Sequence, residues 1–312
     1  MSEQELIIGS RGSDLALWQA NYVSDLIEAP TRIEIIKTAG DRIQHLSLDK
    51  VEGKGFFTKE IEEALLDKRI DIAVHSFKDL PIEGPEGLKL GAIPPRAPVR
   101  DVIVVRSQEI VEGKLWGLKE GARVGTSSLR RKAHMLAKRP DLEMVDIRGN
   151  VPTRLDKVPS GELDAVVLAE AGLSRLGFLD KASSMNLTMV AAEITEVCPA
   201  PAQGALAIQI RSDDPRCEAA IAPLHDPATA ESVEAERLLL GYFGGGCHLP
   251  LGAHGSRNET TMKLEALVAA PGGHESFAAC AEGDSPQEIA AEVHRQLCSQ
   301  GADKYLKSEQ GS

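Results

Sequence analysis

Residues 75–79, HSFKD, place an ammonium group beside a carboxyl group directly after an apolar run. Asp79 could pass protons or stabilise a nearby positive charge, and Lys78 could hold an anionic ligand. The same pair is also typical of a turn with a surface ion pair. The segment therefore leaves two interpretations open, a catalytic carboxyl group and an ordinary turn.

Two further segments are rich in arginine and follow predicted strands. Residues 125–131, GTSSLRR, pass from a strand into a helix, where hydroxyl and backbone N–H groups favour anions. Arg130 and Arg131 can add bidentate hydrogen bonds to a carboxylate, or they can be solvated side chains on a serine-capped helix. Residues 148–154, RGNVPTR, set an arginine on either side of a tight turn. The two segments together predict a ligand with several anionic groups.

Cys247 ends a run of three glycines, and it is the most unusual local feature of the sequence. A backbone this permissive can present a thiol for covalent attachment of a group. A free cysteine is also commonly a small buried apolar side chain, so both interpretations stay open. The eight His and five Cys form no Cys-x-x-Cys or His-x-x-x-His pair, which predicts that the protein has no metal site.

The elements that position these segments are those of an α/β protein. A buried strand is predicted over residues 70–74, after an amphipathic helix over residues 59–69, and the pattern restarts at residue 102. Strand, helix and strand in this order predict parallel sheets with helices on their faces. Ligands bind such sheets beyond the carboxyl ends of the strands, where the polar segments are expected.

Three domains are predicted from these patterns. The first comprises residues 1–96 and 204–222, the second residues 100–198, and the third, a small α+β domain, residues 227–309. The proline-rich segments PPRAP, at residues 94–98, and CPAP, at residues 198–201, are the expected crossings between the first two domains.

Composition narrows the class of function. The 35 Lys and Arg against 47 Asp and Glu give a net charge of −12, which disfavours general binding of nucleic acid or of an anionic membrane. At 4% aromatic residues, the chain also lacks stacking platforms for single strands. Five scattered cysteines favour reduced thiols, and no signal peptide or membrane span is apparent. We therefore expect a soluble cytoplasmic enzyme for a small acidic substrate.

Six segments together resemble the porphobilinogen deaminase family. Residues 75–81 (HSFKDLP), 125–131 and 148–154 match three of the family's motifs. Residues 15–20 (LALWQA), 203–205 (QGA) and 245–247 (GGC) occur in the family's order as well. The resemblance runs from about residue 6 to about residue 306, nearly the whole chain.

The resemblance implies two α/β domains similar to periplasmic binding proteins, with a cleft between them, and a small α+β C-terminal domain. It implies a transferase that joins four porphobilinogen molecules head to tail, with release of ammonia, into hydroxymethylbilane. It further implies one covalent dipyrromethane cofactor per chain, attached by a thioether, and a protein that acts as a monomer.

The family's functional residues carry over by motif position. Asp79 corresponds to the catalytic carboxyl group, and Cys247 to the covalent attachment of the cofactor. The remaining positions implied for the cofactor are Asp41, Lys78, Ser128, Arg130 and Arg131. The positions implied for the substrate are Arg11, Ser13, Lys54, Thr126, Arg148, Arg154, Arg175 and Gln203.

Two positions depart from the family's pattern, and one alternative function remains. Glu170 stands where a small or apolar residue is usual and could pair with Arg175, and Glu52 stands where a glycine is common. The alternative function is a two-lobed binding protein for an acidic metabolite, without chemistry. The presence of both Asp79 and Cys247 argues against it.

Overall fold

The computed structural model describes residues 5–38, 58–245 and 249–306, and the chain divides into two compact units. The first unit comprises Met1–Ala97 and Gly204–Ala230, and the second comprises Pro98–Gln203 and Glu231–Ser312. Among the described residues, no helix is long and apolar enough to cross a membrane.

Most strands are short apolar segments, and those in the middle of the sheets are buried on both faces, as parallel sheets require. In β5, for example, five of the six residues are buried. Along the described residues the strands are β1 (Leu6–Ser10), β2 (Thr31–Ile35), β3 (Ile72–Ser76), β4 (Leu88–Ala92), β5 (Asp101–Arg106), β6 (Arg123–Gly125), β7 (Glu143–Val145), β8 (Ala165–Ala169), β9 (Leu187–Ala191), β10 (Leu206–Arg211), β11 (Leu251–Arg257), β12 (Met262–Ala269) and β13 (Ser276–Gly283).

Several helices begin at a polar side chain that satisfies an unpaired backbone N–H group. Ser13 accepts from Ala16 N–H at 3.4 Å, and Ser285 caps the last helix in the same way. The helices along the described residues are α1 (Asp14–Leu26), α2 (Lys59–Leu66), α3 (Leu129–Lys138), α4 (Val151–Leu155), α5 (Glu170–Arg175), α6 (Phe178–Lys181), α7 (Pro215–Ile221), α8 (Pro227–Tyr242) and α9 (Pro286–Ser299).

The two five-stranded sheets share one topology. The strand order is β2-β1-β3-β10-β4 in the first unit and β7-β6-β8-β5-β9 in the second. In each sheet three neighbouring strands are parallel, and the fourth strand, β10 or β5, is antiparallel to both of its neighbours. That fourth strand is the one by which the chain enters the sheet after leaving the other unit. The predicted α/β class is therefore confirmed.

A third sheet, β11-β12-β13, is antiparallel throughout and belongs to the second unit. Its apolar face packs against α9, where Val293 and Leu297 are fully buried. The predicted small α+β segment at the C-terminal end of the chain is confirmed by this sheet and its helix.

Two buried histidines donate hydrogen bonds inside the units. In the first unit His75 Nε2 lies 3.1 Å from Gln209 Oε1 on β10, and Gln209 Nε2 donates to Glu62 Oε1 at 3.1 Å. In the second unit His134 Nε2 lies 3.1 Å from the Leu267 carbonyl oxygen. Burial lowers the pKa of His75 to about 4 and the pKa of His134 to about 3, so both rings are neutral at pH 7.

Acidification from pH 7.5 to pH 5 should lower the free energy of unfolding. In the unfolded chain each histidine takes up a proton near pH 6.5, whereas in the folded chain His75 and His134 titrate at about 4 and about 3. The unfolded state therefore binds more protons in this window, and each histidine removes about 2 kcal/mol by pH 5. Urea unfolding at the two pH values measures this loss.

The variant His75→Gln should reduce the loss by the contribution of one histidine, because glutamine keeps the donor and does not titrate. The exposed His274 supplies the matched control, and His274→Gln should leave the loss unchanged. Equal losses in both variants would contradict the assignment of the acid sensitivity to His75.

Candidate functional site

In the first unit, predicted polar residues follow two neighbouring parallel strands. Arg11 and Ser13 come after β1, and Asp79 lies three residues beyond β3. Because Ile8 of β1 pairs in parallel with Ile72 of β3, the two strands end at the same edge of the sheet. Ligands of open α/β sheets bind at this edge.

In the second unit, three parallel strands lead to polar segments in the same way. β6 precedes residues 126–131, β7 precedes residues 148–154, and β8 precedes residues 170–175. The arginines predicted to bind a ligand in this unit all lie in these segments: Arg130, Arg131, Arg148, Arg154 and Arg175.

Asp79 lies in a single 3-10 turn, Phe77–Asp79, between two apolar anchors. Phe77 and Leu80 are both buried, and Leu80 N–H donates to the Phe77 carbonyl oxygen at 3.2 Å. Between these anchors Asp79 is exposed and Lys78 is half-buried. The carboxyl group is therefore presented to solvent from a backbone that the core holds in place.

Side-chain hydroxyl groups cap the start of α3 and bind the backbone of the loop before it. Ser128 Oγ accepts from Arg131 N–H at 3.4 Å, and Thr126 Oγ1 accepts from Ser128 N–H at 3.2 Å. Ser127 Oγ donates to the Ile147 carbonyl oxygen at 2.7 Å. These contacts hold the loop between β6 and α3 in one conformation, so the backbone positions of Arg130 and Arg131 are fixed.

Arg130 and Arg131 are buried and share one carboxylate, Asp101 at the start of β5. Arg131 Nη2 and Nε lie 2.7 and 3.1 Å from Asp101 Oδ1, and Arg130 Nη2 lies 2.8 Å from Asp101 Oδ2. The exposed fractions of Asp101, Arg130 and Arg131 are 0%, 4% and 6%. The interpretation of these arginines as solvated side chains is therefore wrong. We call the three residues the Asp101 cluster.

The Asp101 cluster carries more positive than negative charge. Burial alone would raise the pKa of Asp101, but the two guanidinium groups hold it well below its usual range, so the carboxylate is ionised. Two cations against one anion leave a net positive charge in a water-poor environment, where such a charge is costly unless it is paired. Each guanidinium has five N–H donors, and the single carboxylate of Asp101 cannot accept hydrogen bonds from all the donors of both arginines. An anionic ligand would compensate this charge.

Gln203, predicted to bind substrate, contacts the Asp101 cluster. Its side chain is fully buried, and Nε2 lies 2.9 Å from Asp101 Oδ1 and 2.7 Å from the Val99 carbonyl oxygen. These contacts join the two chain crossings, because Val99 lies on the outgoing segment and Gln203 on the returning one. Sequence reasoning missed Asp101, although a charged residue at the start of the apolar run Val102–Val105 is a signal that could have found it.

The turn after β7 depends on glycine and on an asparagine cap. Gly149 has a φ of +107°, and a Cβ atom there would lie 2.8 Å from Thr153 Cβ, so only glycine fits. Asn150 Oδ1 accepts from Thr153 N–H at 3.0 Å. Arg154 Nε donates to the Gly149 carbonyl oxygen at 2.8 Å, and both Arg148 and Arg154 are half-buried. A backbone carbonyl group of the turn thus orients the Arg154 side chain.

Glu170, one of the two residues that depart from the family's pattern, pairs with Arg100. Arg100 Nε lies 3.1 Å from Glu170 Oε2, and Glu170 N–H donates to the Arg100 carbonyl oxygen at 3.0 Å. Glu170 begins α5 and the half-buried Arg175 ends it. The extra carboxylate therefore pairs with Arg100, which is not among the predicted site residues.

The first two glycines before Cys247 form the turn that ends α8. Gly244 and Gly245 have φ values of +88° and +65°, which favour glycine, and Gly245 N–H donates to the Leu240 carbonyl oxygen at 3.0 Å. Three predicted site residues lie outside the described residues, together with Glu52: Asp41, Lys54 and Cys247.

A group of possible metal ligands in the first unit is already compensated by arginine. A carboxylate oxygen of Asp71, a carboxylate oxygen of Asp214 and the Sγ atom of Cys217 all lie within 4.8 Å of one another. Arg211 Nη2 lies 3.0 Å from Asp71 Oδ1 and 2.5 Å from Asp214 Oδ2. Burial raises the pKa of Cys217 to about 12, so this thiol stays protonated. The group is explained by the ion pairs that stabilise the start of α7.

Comparison with protein families finds two matches that together cover most of the chain. Residues 6–219 match the family described as "Porphobilinogen deaminase, dipyromethane cofactor binding domain". Residues 230–299 match the family described as "Porphobilinogen deaminase, C-terminal domain". The first match includes the Asp101 cluster and Asp79, and the second includes Cys247.

Relatives with similar sequences span the full length. The chain is 46% identical over 317 residues to the porphobilinogen deaminase of Pelobacter propionicus, covering 98% of both chains. It is 42% identical over 314 residues to that of Syntrophobacter fumaroxidans, again covering 98% of both. Among solved structures, an arginine-specific periplasmic binding protein of Salmonella typhimurium is 13% identical, with a TM-score of 0.40 over 73% of this chain and 94% of that chain.

Removing the charge of Asp101 should destabilise the second unit strongly. In Asp101→Asn two buried guanidinium groups lose their counter-ion, which costs about 3–5 kcal/mol of unfolding free energy. Urea unfolding measures the loss. Asp146→Asn is the matched control, because Asp146 pairs with Lys132 of the same helix at the surface and should cost less than about 1 kcal/mol. Similar losses in the two variants would contradict the account of the Asp101 cluster.

Proposed function

The chain belongs to the porphobilinogen deaminase family, and we propose that Asp79 is its catalytic carboxyl group and Cys247 the thioether attachment point of its dipyrromethane cofactor. The family joins porphobilinogen molecules head to tail into hydroxymethylbilane, in tetrapyrrole biosynthesis. The observation that carries the proposal is the Asp101 cluster, with its excess of buried positive charge in the cofactor-binding domain.

The residues of the second unit fit a cofactor that carries carboxylates. Each pyrrole ring of dipyrromethane bears an acetate and a propionate, which are the groups that guanidinium binds in bidentate geometry. Arg130 and Arg131 would hold these carboxylates, and Ser128, at the start of the same helix, would also contact the cofactor. Lys78 and Asp41, which belong to the first unit, are the other residues that we assign to the cofactor. When bound, dipyrromethane supplies a primer whose terminal pyrrole carbon bonds to the first substrate molecule.

Substrate rings bring further carboxylates, so the growing chain becomes steadily more anionic. Guanidinium groups at several strand ends can bind these carboxylates as they accumulate, since arginine keeps its charge at any working pH. Gln203, whose Nε2 contacts Asp101 and Val99, stays in the proposed set as a residue that acts beside these arginines. The other residues that we assign to the substrate are Arg11, Ser13, Lys54, Thr126, Arg148, Arg154 and Arg175.

Asp79 suits the chemistry at the reacting carbon. Breaking the C–N bond of porphobilinogen releases ammonia and leaves a cationic azafulvene, and a carboxylate beside it stabilises the developing charge. The same group can give a proton to the departing amine and later accept the proton that the attacked pyrrole loses when the C–C bond forms. The anchored turn at Phe77–Asp79 supports this role, because it fixes where the carboxyl group stands.

We also infer the organisation and setting of the enzyme. We propose that residues 100–198 and residues 227–309 form two separate domains, because the two sheets of the second unit have separate apolar cores. The first domain comprises residues 1–96 and 204–222. A cysteine that must be reduced when the cofactor attaches suits the cytoplasm. The resemblance to the family also leads us to infer that the protein acts as a monomer.

The intact mass of the purified protein should exceed that of its sequence by two linked pyrrole units, with the addition on Cys247. The thioether forms only on this thiol, so Cys247→Ser should have the unmodified mass and no activity. Cys280→Ser is the control, because Cys280 is an exposed thiol elsewhere and its loss should leave the adduct in place. Active protein of unmodified mass would defeat the covalent attachment.

Replacing Asp79 should abolish turnover while the fold and the adduct are kept. Loss of a proton-transferring carboxyl group costs about 10²–10⁴ in rate, so Asp79→Asn should lose this factor in the production of hydroxymethylbilane. Glu86→Gln, an exposed carboxylate a few residues along the same chain segment, should retain normal turnover. Near-normal turnover of Asp79→Asn would show that another residue is the catalytic acid.

A further inference from the structure

His134 joins the helix that carries the two buried arginines to the third sheet. It lies on α3 one turn after Arg130 and is fully buried. Its Nε2 lies 3.3 Å from the Pro250 carbonyl oxygen and 3.1 Å from the Leu267 carbonyl oxygen. Because both partners can only accept, Nε2 carries the hydrogen, and the buried Nδ1 has no hydrogen-bond partner among the described residues.

We propose that His134 is a positioning residue of the elongation reaction: it holds the chain that follows Cys247 at a fixed distance from Arg130 and Arg131. The inference rests on the function proposed above, in which Cys247 carries the cofactor and the arginines bind its carboxylates. His134 itself touches neither cofactor nor substrate in this account, and it acts through the Pro250 carbonyl oxygen.

Covalent geometry limits how far the attachment point lies from this anchor. Pro250 follows Cys247 by three residues, and three residues of extended chain span at most about 11 Å. On the helix, His134 and Arg130 are four residues apart, so they lie on one face with about 6 Å of axial rise between them. One rigid helix therefore carries both the carboxylate-binding groups and the anchor of the cofactor-bearing chain.

Two glycines of the third sheet pack closely against the part of the second unit that carries α3. Gly273, in the turn between β12 and β13, packs so tightly on α3 that a Cβ atom would lie 2.3 Å from the Leu136 carbonyl carbon. A Cβ atom on Gly252 would lie 2.5 Å from the Cys198 carbonyl oxygen, to which Arg130 Nη1 also donates. The third sheet is thus fixed to the Asp101 cluster on both sides of His134.

A neutral donor is what this position requires. Burial lowers the pKa of His134 to about 3, with a smaller contribution from the neighbouring Arg130, so the ring does not add a third positive charge beside the arginines. A glutamine side chain has an N–H donor without a titrating group and can replace the hydrogen bond, whereas methionine fills a similar volume without any donor.

The test compares His134→Met with His134→Gln in the full-length holoenzyme. Both variants should carry the cofactor by intact mass. At a temperature well below unfolding, kcat of His134→Met should fall by about 10- to 100-fold, since a displacement on the order of 1 Å at the reacting groups costs this much. His134→Gln should recover most of the loss, and KM should change less than kcat in both.

Val293→Ala separates positioning from stability. Val293 is buried in α9 against the same sheet, so its truncation should lower the unfolding temperature and leave kcat unchanged. A normal kcat in His134→Met, or a loss that follows the unfolding temperature as Val293→Ala does, would overturn the proposal. ¹⁵N NMR of the wild-type holoenzyme adds an independent check: it should show a neutral His134 with the hydrogen on Nε2, and the Nδ1–H form would also overturn the proposal.

The outcome for the proposed function is read separately. Wild-type protein without the adduct, or without production of hydroxymethylbilane, would refute the proposed function whatever the variants do. Wild-type protein with both, beside a fully active His134→Met, would refute the positioning role alone.

Discussion

Asp101 divides its two carboxylate oxygens between Arg130 and Arg131 in the interior of the second unit. Neither guanidinium could be buried without that counter-ion, and one carboxylate cannot neutralise two cations. The Asp101 cluster therefore carries a net positive charge at the start of α3, which an anionic ligand would compensate. This imbalance suits the proposed role of the two arginines in binding a cofactor that carries several carboxylates.

The rest of the second unit can be understood as support for the Asp101 cluster. Gln203 ties Asp101 to the outgoing chain at Val99, so the cluster lies where both crossings of the chain meet. Capping by Ser128 fixes the start of α3, and His134 connects the same helix to the third sheet. In the first unit the shared sheet topology places Asp79 just after β3. A short anchored turn presents its carboxyl group there, at the same sheet edge as Arg11.

Local sequence predicts the elements well where one physical signal dominates. The start of α9 is such a case, because Ser285 supplies the cap and Pro286 the first helical residue. β4 and β11 were missed, since glycine interrupts both and their apolar alternation is weak. The Asp101 cluster joins residues about 30 positions apart, and no local pattern encodes which carboxylate meets which arginine. For the same reason no local pattern predicts that Gln203 contacts Asp101 and Val99.

The central claim is that buried guanidinium groups hold the carboxylates of the cofactor. It is tested most directly by preparing the holoenzyme from porphobilinogen labelled with ¹³C in its carboxyl groups and following their chemical shifts against pH. Nearby cations favour the charged form, so at least one cofactor carboxyl group should have a pKa clearly below that of the same group in free porphobilinogen. Carboxyl groups that all titrate as they do in the free compound would contradict the account.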